Sequence, residues 1–173
     1  MTSGDNDFRI DGYKFLPRSM IPEFKALPYQ ADDLVQAAPA GSINKARVAL
    51  LTSSGLYLKR RQQSFDIERE RREPFWGDPA YRVIPRGVAA DELEVAHLHL
   101  NPDDIVADFN IALPLEVFAG FEHEGQIGSL AENNYSFMGY QGSSTAAWRD
   151  VYGPELAMRL REECVDLLIL APG

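Results

Sequence analysis

His97 and His99 stand two residues apart in LEVAHLHL (residues 93–100), a spacing that puts both side chains on one face of a strand. A histidine near its ordinary pKa exchanges protons at neutral pH. His97 is therefore the candidate acid–base group, able to protonate a leaving amine, with a structural hydrogen-bonding histidine as the alternative. A zinc site on the pair would need a third ligand such as His123, Asp103 or Asp104. No HExxH-like spacing and no second cysteine accompany them, so no metal is expected. Cys164, the one cysteine, closes LREEC and reads as a small packing residue. Asn101, Asp108 and Asn110 lie among turn-formers; they either make Asx-turns and a cap for the helix after Pro114, or hold polar groups of a substrate. In NYSFMGY (residues 134–140), Tyr135 and Phe137 alternate with Ser136 and Met138 as in a strand with one aromatic face, and Gly139 allows close backbone approach at its end. Tyr135 and Gly139 join Asn101, Asp108 and Asn110 as candidate substrate-binding residues. The turn Thr52-Ser53-Ser54-Gly55 could offer amides to an anion, although it has neither P-loop nor dinucleotide spacing.

Residues 59–86 are the basic part of an acidic chain. They hold Lys59, Arg60, Arg61, Arg69, Arg71, Arg72, Arg82 and Arg86 against Asp66, Glu68, Glu70, Glu73 and Asp78, whereas the 173 residues together carry −9. Two readings stand: a solvated segment of mixed charge, or a basic flap over an anionic substrate. The negative total argues against general nucleic-acid binding, which rewards clustered positive charge. No apolar run reaches the roughly 20 residues of a membrane helix, MTSGDNDFRIDG lacks a signal-peptide pattern, and a lone cysteine fits a reducing compartment. A cytoplasmic location is expected.

The elements that must position these residues alternate between strand and helix patterns. Residues 1–45 carry Pro17, Pro22, Pro28 and Pro39, and FLPRSMIPEFKALPY is expected to be an extended arm and linker. Residues 46–173 read as one α/β domain. RVALL opens it as a strand, Pro114 and Gly125 bracket a helix, and Gly153-Pro154 opens a second helix with Leu156, Met158 and Leu160 on one face. VDLLILAPG is a continuous apolar run, as in a parallel strand buried on both faces. The expectation is a Rossmann-like, mostly parallel sheet with flanking helices. Open α/β sheets gather ligands beyond the carboxyl ends of their strands, the place that follows this last run, so the domain is expected to be incomplete there.

RVALLTSSGLYLK, FWGDPAYRVIP, AHLHLNPDDIVADFNIALPLE, GQIGSLAENNYSFMGYQG and VDLLILAPG occur in the order seen in the selenoprotein B family, which the chain resembles over roughly residues 20–173. That family comprises B subunits of glycine, sarcosine and betaine reductases and the related subunit of D-proline reductase. The most specific pieces are GDPAYR with IP, the element Asp108-x-Asn110-x-x-x-Pro114, and IGSLAENNYSFMG. His97 matches a histidine of the family pattern and His99 does not; Cys164 stands where the family more often has a helix-ending glycine.

The resemblance implies reductive cleavage of a C–N bond. It places a selenocysteine, or sometimes a cysteine, directly after the strand resembling VDLLILAPG, opening a Sec-x-x-Cys motif, so the nucleophile is expected immediately beyond Gly173, at a UGA codon read as a stop. A thiol of pKa near 8.5 is mostly protonated at neutral pH, whereas a selenol is largely ionised. The family also implies a partner subunit bearing a pyruvoyl group, a thioredoxin-type dithiol reductant, and a small amine or amino acid as substrate. Residues 1–173 alone are expected to be inactive. The alternatives are a non-catalytic α/β interaction subunit and a selenium-independent small-molecule enzyme using His97.

Overall fold

The computed structural model describes residues 14, 18, 19, 21–26, 41–73, 75–98 and 101–171. The chain divides into two compact units, Met1–Ala37 and Ala38–Gly173. In the first, Ile21–Ala26 forms a short helix, α1, inside the stretch expected to be extended. Pro22 explains the difference: near a helix start its missing N–H has no intrahelical partner to lose and its fixed φ suits the turn. Pro17, Pro28 and Pro39 lie outside the described residues, as does His99.

The second unit is α/β, with seven strands among the described residues: β1 Arg47–Thr52, β2 Leu56–Leu58, β3 Arg82–Pro85, β4 Leu93–Val95, β5 Ser129–Leu130, β6 Asn133–Ser136 and β7 Leu167–Ala171. Helices α2 Ile67–Arg72, α3 Pro102–Ala107, α4 Leu115–His123, α5 Thr145–Ala147 and α6 Gly153–Glu162 surround them. β7 pairs in parallel with β1 from Val48 to Thr52, filling one edge of β1. β5 and β6 therefore share the other edge, both parallel to β1, and β3 lies antiparallel on β6. β2 and β4 form a separate antiparallel pair. The sheet is thus mixed, where a mostly parallel one was expected. Residues 93–100 account for part of the difference: their strand stops at Val95 and pairs with β2, so it adds nothing to the main sheet.

The apolar run of β1 is continuous because both faces are covered. Val48 and Leu50 enter a core with Leu56, Ile84, Phe109, Leu113, Leu115 and Leu130. Leu51 turns the other way, to Tyr135 and Leu156 of α6. Leu156 and Leu160 are four residues apart and face the sheet, but Met158, 200° around the helix from Leu156, is exposed. β7 corrects a second expectation. It is not buried on both faces: β1 is its only pairing partner among the described residues, and Leu170 and Ile169 remain 67% and 37% exposed.

Between its two pairings the edge of β1 meets a bulge. Three steps on β1, Val48 to Leu51, oppose five on its neighbour, Leu130 to Tyr135. Fully buried Asn134 fills the gap: its Oδ1 accepts from Leu50 N at 2.9 Å and its Nδ2 donates to Ala131 O at 3.4 Å. The following strand ends are tied likewise, with Leu56 N donating to Ser136 Oγ at 2.7 Å.

Helix α4 lies where Pro114 and Gly125 place it. Pro114 is its N-cap residue and Gly125, at φ +70°, follows its C-cap. Glu122 of α4 binds Arg86 and also accepts from Leu130 N, and these donors hold its carboxyl below the usual glutamate range. A lowered folded value means that its stabilisation is complete above the ordinary glutamate pKa of about 4.3 and is lost as pH falls through the lowered value. Glu122→Gln is expected to cost about 1–2 kcal/mol at pH 7 and to flatten the acid limb of the stability curve, measured by urea melts from pH 3 to 7.

The end of α6 explains Cys164. Val165 N donates to Leu160 O and Cys164 N to Arg161 O, a Schellman motif whose αL position is Cys164, at φ +54°. A side chain there is strained, and glycine is not. Cys164→Gly is expected to stabilise the fold by about 0.5–1 kcal/mol in thermal melts. Asp166 then joins the starts of β7 and β1, accepting from Arg47 N at 2.8 Å and donating its own N–H to Arg47 O at 2.9 Å. No helix among the described residues is long and apolar enough to cross a membrane.

Candidate functional site

Three parallel strands end together. Thr52 of β1 is in register with Ser136 of β6 and with Ala171 of β7, so their carboxyl ends form one edge. Beyond that edge lies a cleft of about 170 Å³ lined by Leu51, Ser53, Phe137, Leu170 and Ala171, almost entirely apolar. The ring of Phe137 stacks on Trp148 at 4.6 Å and 9°.

The turn after β1 does not offer its amides to a ligand. Ser53 N donates to Ala171 O, Ser54 N to Thr52 Oγ1, Gly55 N to Phe137 O and Leu56 N to Ser136 Oγ. Three of these donors tie the turn to β6 and β7 and their exits, and Ser54 N closes the turn on Thr52, so the turn stiffens the edge. Gly55, at φ +68°, is needed for a second reason: a Cβ there would come within 2.3 Å of Ala96 O.

That contact positions His97. Ala96 N donates to Gly55 O at 2.9 Å, and the half-buried His97 follows it, next to the turn. Gly139 joins the same edge, its N–H donating to Ser53 O at 3.1 Å. Tyr135 lies inside β6, fully buried; its hydroxyl donates to Glu163 Oε1 at 3.1 Å and its ring meets Tyr81 edge-on. Burial first, and then the Glu163 charge, raise its pKa, so it stays neutral. Tyr81 is likewise raised to about 12, by burial and by its hydrogen bond to Glu155.

Asn101 stands just before α3, and Asp108 and Asn110 lie in the connection between α3 and α4. Asn101 caps α3 by accepting from Asp103 N at 3.2 Å. Asp108 accepts from Asn110 N, and Asn110 Oδ1 accepts from Glu116 N at 3.0 Å, capping α4. Asp108 and Asn110 also border a cleft of about 240 Å³ floored by Leu93, Phe109, Leu113 and Leu115. Among the described residues, no three His, Cys, Asp or Glu side chains converge as a metal requires.

Most arginines of the basic segment are paired with carboxylates, inside the segment and beyond it. Arg61 meets Glu92 at 2.8 Å, Arg69 meets Glu73 at 3.1 Å, Arg71 meets Glu68 at 2.6 Å and Arg86 meets Glu122. Arg82 pairs with Asp78 at 3.4 Å and lies over the Phe65 ring at 4.1 Å. Asp78 belongs to GDPAYR, and that motif braces the candidate edge. Gly77 packs so closely on Tyr140 O that a Cβ would fall 1.8 Å from it, Ser143 N donates to Phe75 O, and Gln141 Nε2 donates to Asp78 O at 3.2 Å. Sequence reasoning missed Asn134, Ser136, Gln141 and Ser144. The available signal was the run of polar residues inside an otherwise apolar strand and its exit loop.

The comparisons agree with this arrangement of motifs. The model of the family described as glycine/sarcosine/betaine reductase selenoprotein B matches residues 9–172. D-proline reductase subunit gamma of Acetoanaerobium sticklandii is 32% identical over 126 residues, covering 73% of this chain and 48% of that protein. Glycine reductase complex component B subunit gamma of Carboxydothermus hydrogenoformans is 32% identical over 145 residues, 83% of this chain and 32% of that protein. Betaine reductase complex component B subunit beta of Peptoclostridium acidaminophilum is 26% identical over 145 residues, again 83% and 32%. The chain therefore spans about a third to a half of the length of these curated relatives. No solved structure matches it. With every residue from α1 to the end of β7 inside the matched range, the chain belongs to the glycine/sarcosine/betaine reductase selenoprotein B family.

Proposed function

We propose that residues 1–173 are the scaffold of a reductase subunit that cleaves a C–N bond in a small amino acid or amine, with a dithiol as the source of electrons. The observation that carries this reading is the shared carboxyl edge of β1, β6 and β7, opening on the cleft lined by Leu51, Ser53, Phe137, Leu170 and Ala171. A residue following β7 emerges at the edge where open α/β sheets hold their ligands, and this parallel centre is what a Rossmann-like organisation contributes. We place a selenocysteine or cysteine directly after Gly173. The residues present fit such a group: an apolar cleft penalises ionisation of a thiol, and a more acidic selenol tolerates that penalty better. When present it supplies a nucleophile that is ionised at neutral pH. The chain's own part is to hold that position rigid through the Ser53–Leu56 amides and to line it with the apolar Phe137 side of the cleft.

The relatives' names, subunits of reductase complexes, support a multi-component assembly. The reading assigns the electrophilic pyruvoyl group to a partner subunit, the reducing equivalents to a thioredoxin-type protein, and the assembly to the cytoplasm. His97, beside the Gly55 turn, is the proposed acid–base group. His97→Ala in the full-length protein is expected to lower kcat about 10²-fold, and unchanged turnover would remove it from the mechanism. Asn101, Asp108, Asn110, Tyr135 and Gly139 shape the fold around the substrate in this reading; Gly139 alone reaches the edge itself. Reading the DNA past Gly173 tests the placement of the nucleophile. An in-frame UGA followed by coding sequence with a Sec-x-x-Cys pattern is expected, and a different stop codon would refute it.

A further inference from the structure

The main sheet ends differently at its two sides. On one side β3 carries Arg82 and Pro85, a charge and a proline of the kind that discourage further pairing, and Gln62 Nε2 donates to Val83 O at 2.7 Å. On the other side β7 has no such device. Leu167–Ala171 reads LLILA, with neither charge nor proline, and its register with β1 runs over five residues without a bulge. Ser53 N donates to Ala171 O, so Ala171 turns its polar groups towards β1, as Ile169 and Leu167 do by the alternation of a parallel ladder. Those of Leu168 and Leu170 point outward, to an edge with no strand on it among the described residues. Leu168 and Leu170 also share the sheet face that packs on α6, where Leu168 meets the cluster of Leu51, Tyr135 and Leu156 but Leu170 is exposed. Ile169, on the opposite face, is exposed as well.

We propose that β7 is an interior strand of the full-length sheet, paired on its outer edge by a parallel strand from the sequence that follows Gly173. A bare apolar edge is a template for one more strand, and a parallel one needs a crossover of about a dozen residues or more, usually helical. Chain enough for both is a feature of the relatives, whose matched stretches are only 48% and 32% of their lengths. Handedness fixes where the crossover lies. β6 and β7 are both parallel to β1 and are joined through α6, and a connection leaving β7 for the next position moves in the same direction across the sheet. Right-handed crossovers taken in one direction lie on one face, so the new helix sits beside α6 and covers Leu170. This pairing shares with the reductase reading only a chain that continues past Gly173; no catalytic step enters it.

Hydrogen exchange of the full-length protein, expressed through its own reading frame past Gly173 and without partners, tests it. The amides of Leu168 and Leu170 are expected to exchange as slowly as that of Ile169, about 100-fold slower than an unpaired strand edge, and dilution is expected to change nothing. Leu170→Lys is expected to shift the folding equilibrium of the same protein about 30-fold towards unfolding in urea melts. Fast exchange at Leu168 and Leu170 beside a slow Ile169, or an unchanged midpoint in Leu170→Lys, would overturn the proposal. Protection lost on dilution would assign the edge to a second copy, and protection appearing only with the partner subunit would assign it to that protein; either would overturn the proposal too. C–N cleavage by a protein with fast edge amides would leave the reductase reading standing and refute the pairing. Slow edge amides in a protein that cleaves no C–N bond would do the reverse.

Discussion

Gly77→Ala is expected to destabilise the protein by roughly 3 kcal/mol, the upper range for overpacking, because the new methyl group has no room to relax into. Its Cβ would fall 1.8 Å from Tyr140 O and 2.8 Å from Tyr140 C, both backbone atoms of the loop that leaves β6. That loop is clamped by Ser143 N donating to Phe75 O and by the bridge between Trp76 and Gly142, so it has few ways to give. Urea unfolding should show a lower midpoint, and hydrogen exchange should quicken at residues 138–144 before it does in β1. Gly87→Ala is the control, since its Cβ meets nothing within 4 Å. An unchanged midpoint for Gly77→Ala would mean that the two loops do not meet in this way.

Asn134→Ala is expected to cost about 3 kcal/mol. The substitution leaves Leu50 N–H without an acceptor in the centre of the sheet, where no water reaches it, and opens a void where a fully buried side chain stood. Faster amide exchange at Leu50, with little change at Leu51 or Thr52, is the specific signature. A loss below about 0.5 kcal/mol would show that the bulge between β5 and β6 is closed by something other than this amide.

Much of the fold was legible in local chemistry. The run RVALL, the Pro114 and Gly125 brackets and the Gly153-Pro154 start mark β1, α4 and α6 because each rests on a backbone rule that needs no tertiary information. What the sequence concealed depends on distant partners. VDLLILAPG reads as a doubly buried strand, yet a residue's pattern cannot say whether a second strand will pair with its outer edge. His97 looks strand-borne by alternation, but β4 ends at Val95, where Ala96 turns to meet Gly55. Asn101, Asp108 and Asn110 drew attention as ligands for a substrate. In the fold Asn101 caps α3 and Asn110 caps α4, while two motif residues that drew none, Asp78 and Asn134, hold Arg82 and complete a strand pairing across 84 residues of sequence. The candidate edge was legible only in part. Thr52–Gly55 was flagged for its free amides, and its importance lies in having none.

The central claim is that the carboxyl end of β7 presents the nucleophile of a C–N-cleaving reductase, and site-selective alkylation tests it most directly. The protein is expressed through its own reading frame past Gly173 with selenium supplied. It is treated briefly with iodoacetamide at neutral pH and assayed, with its partner subunit and a dithiol, on glycine, sarcosine, betaine and D-proline. The account predicts modification at the residue following Gly173, ahead of Cys164, with loss of substrate-dependent dithiol oxidation in proportion to the label. Full activity in protein completely alkylated at that position would contradict it.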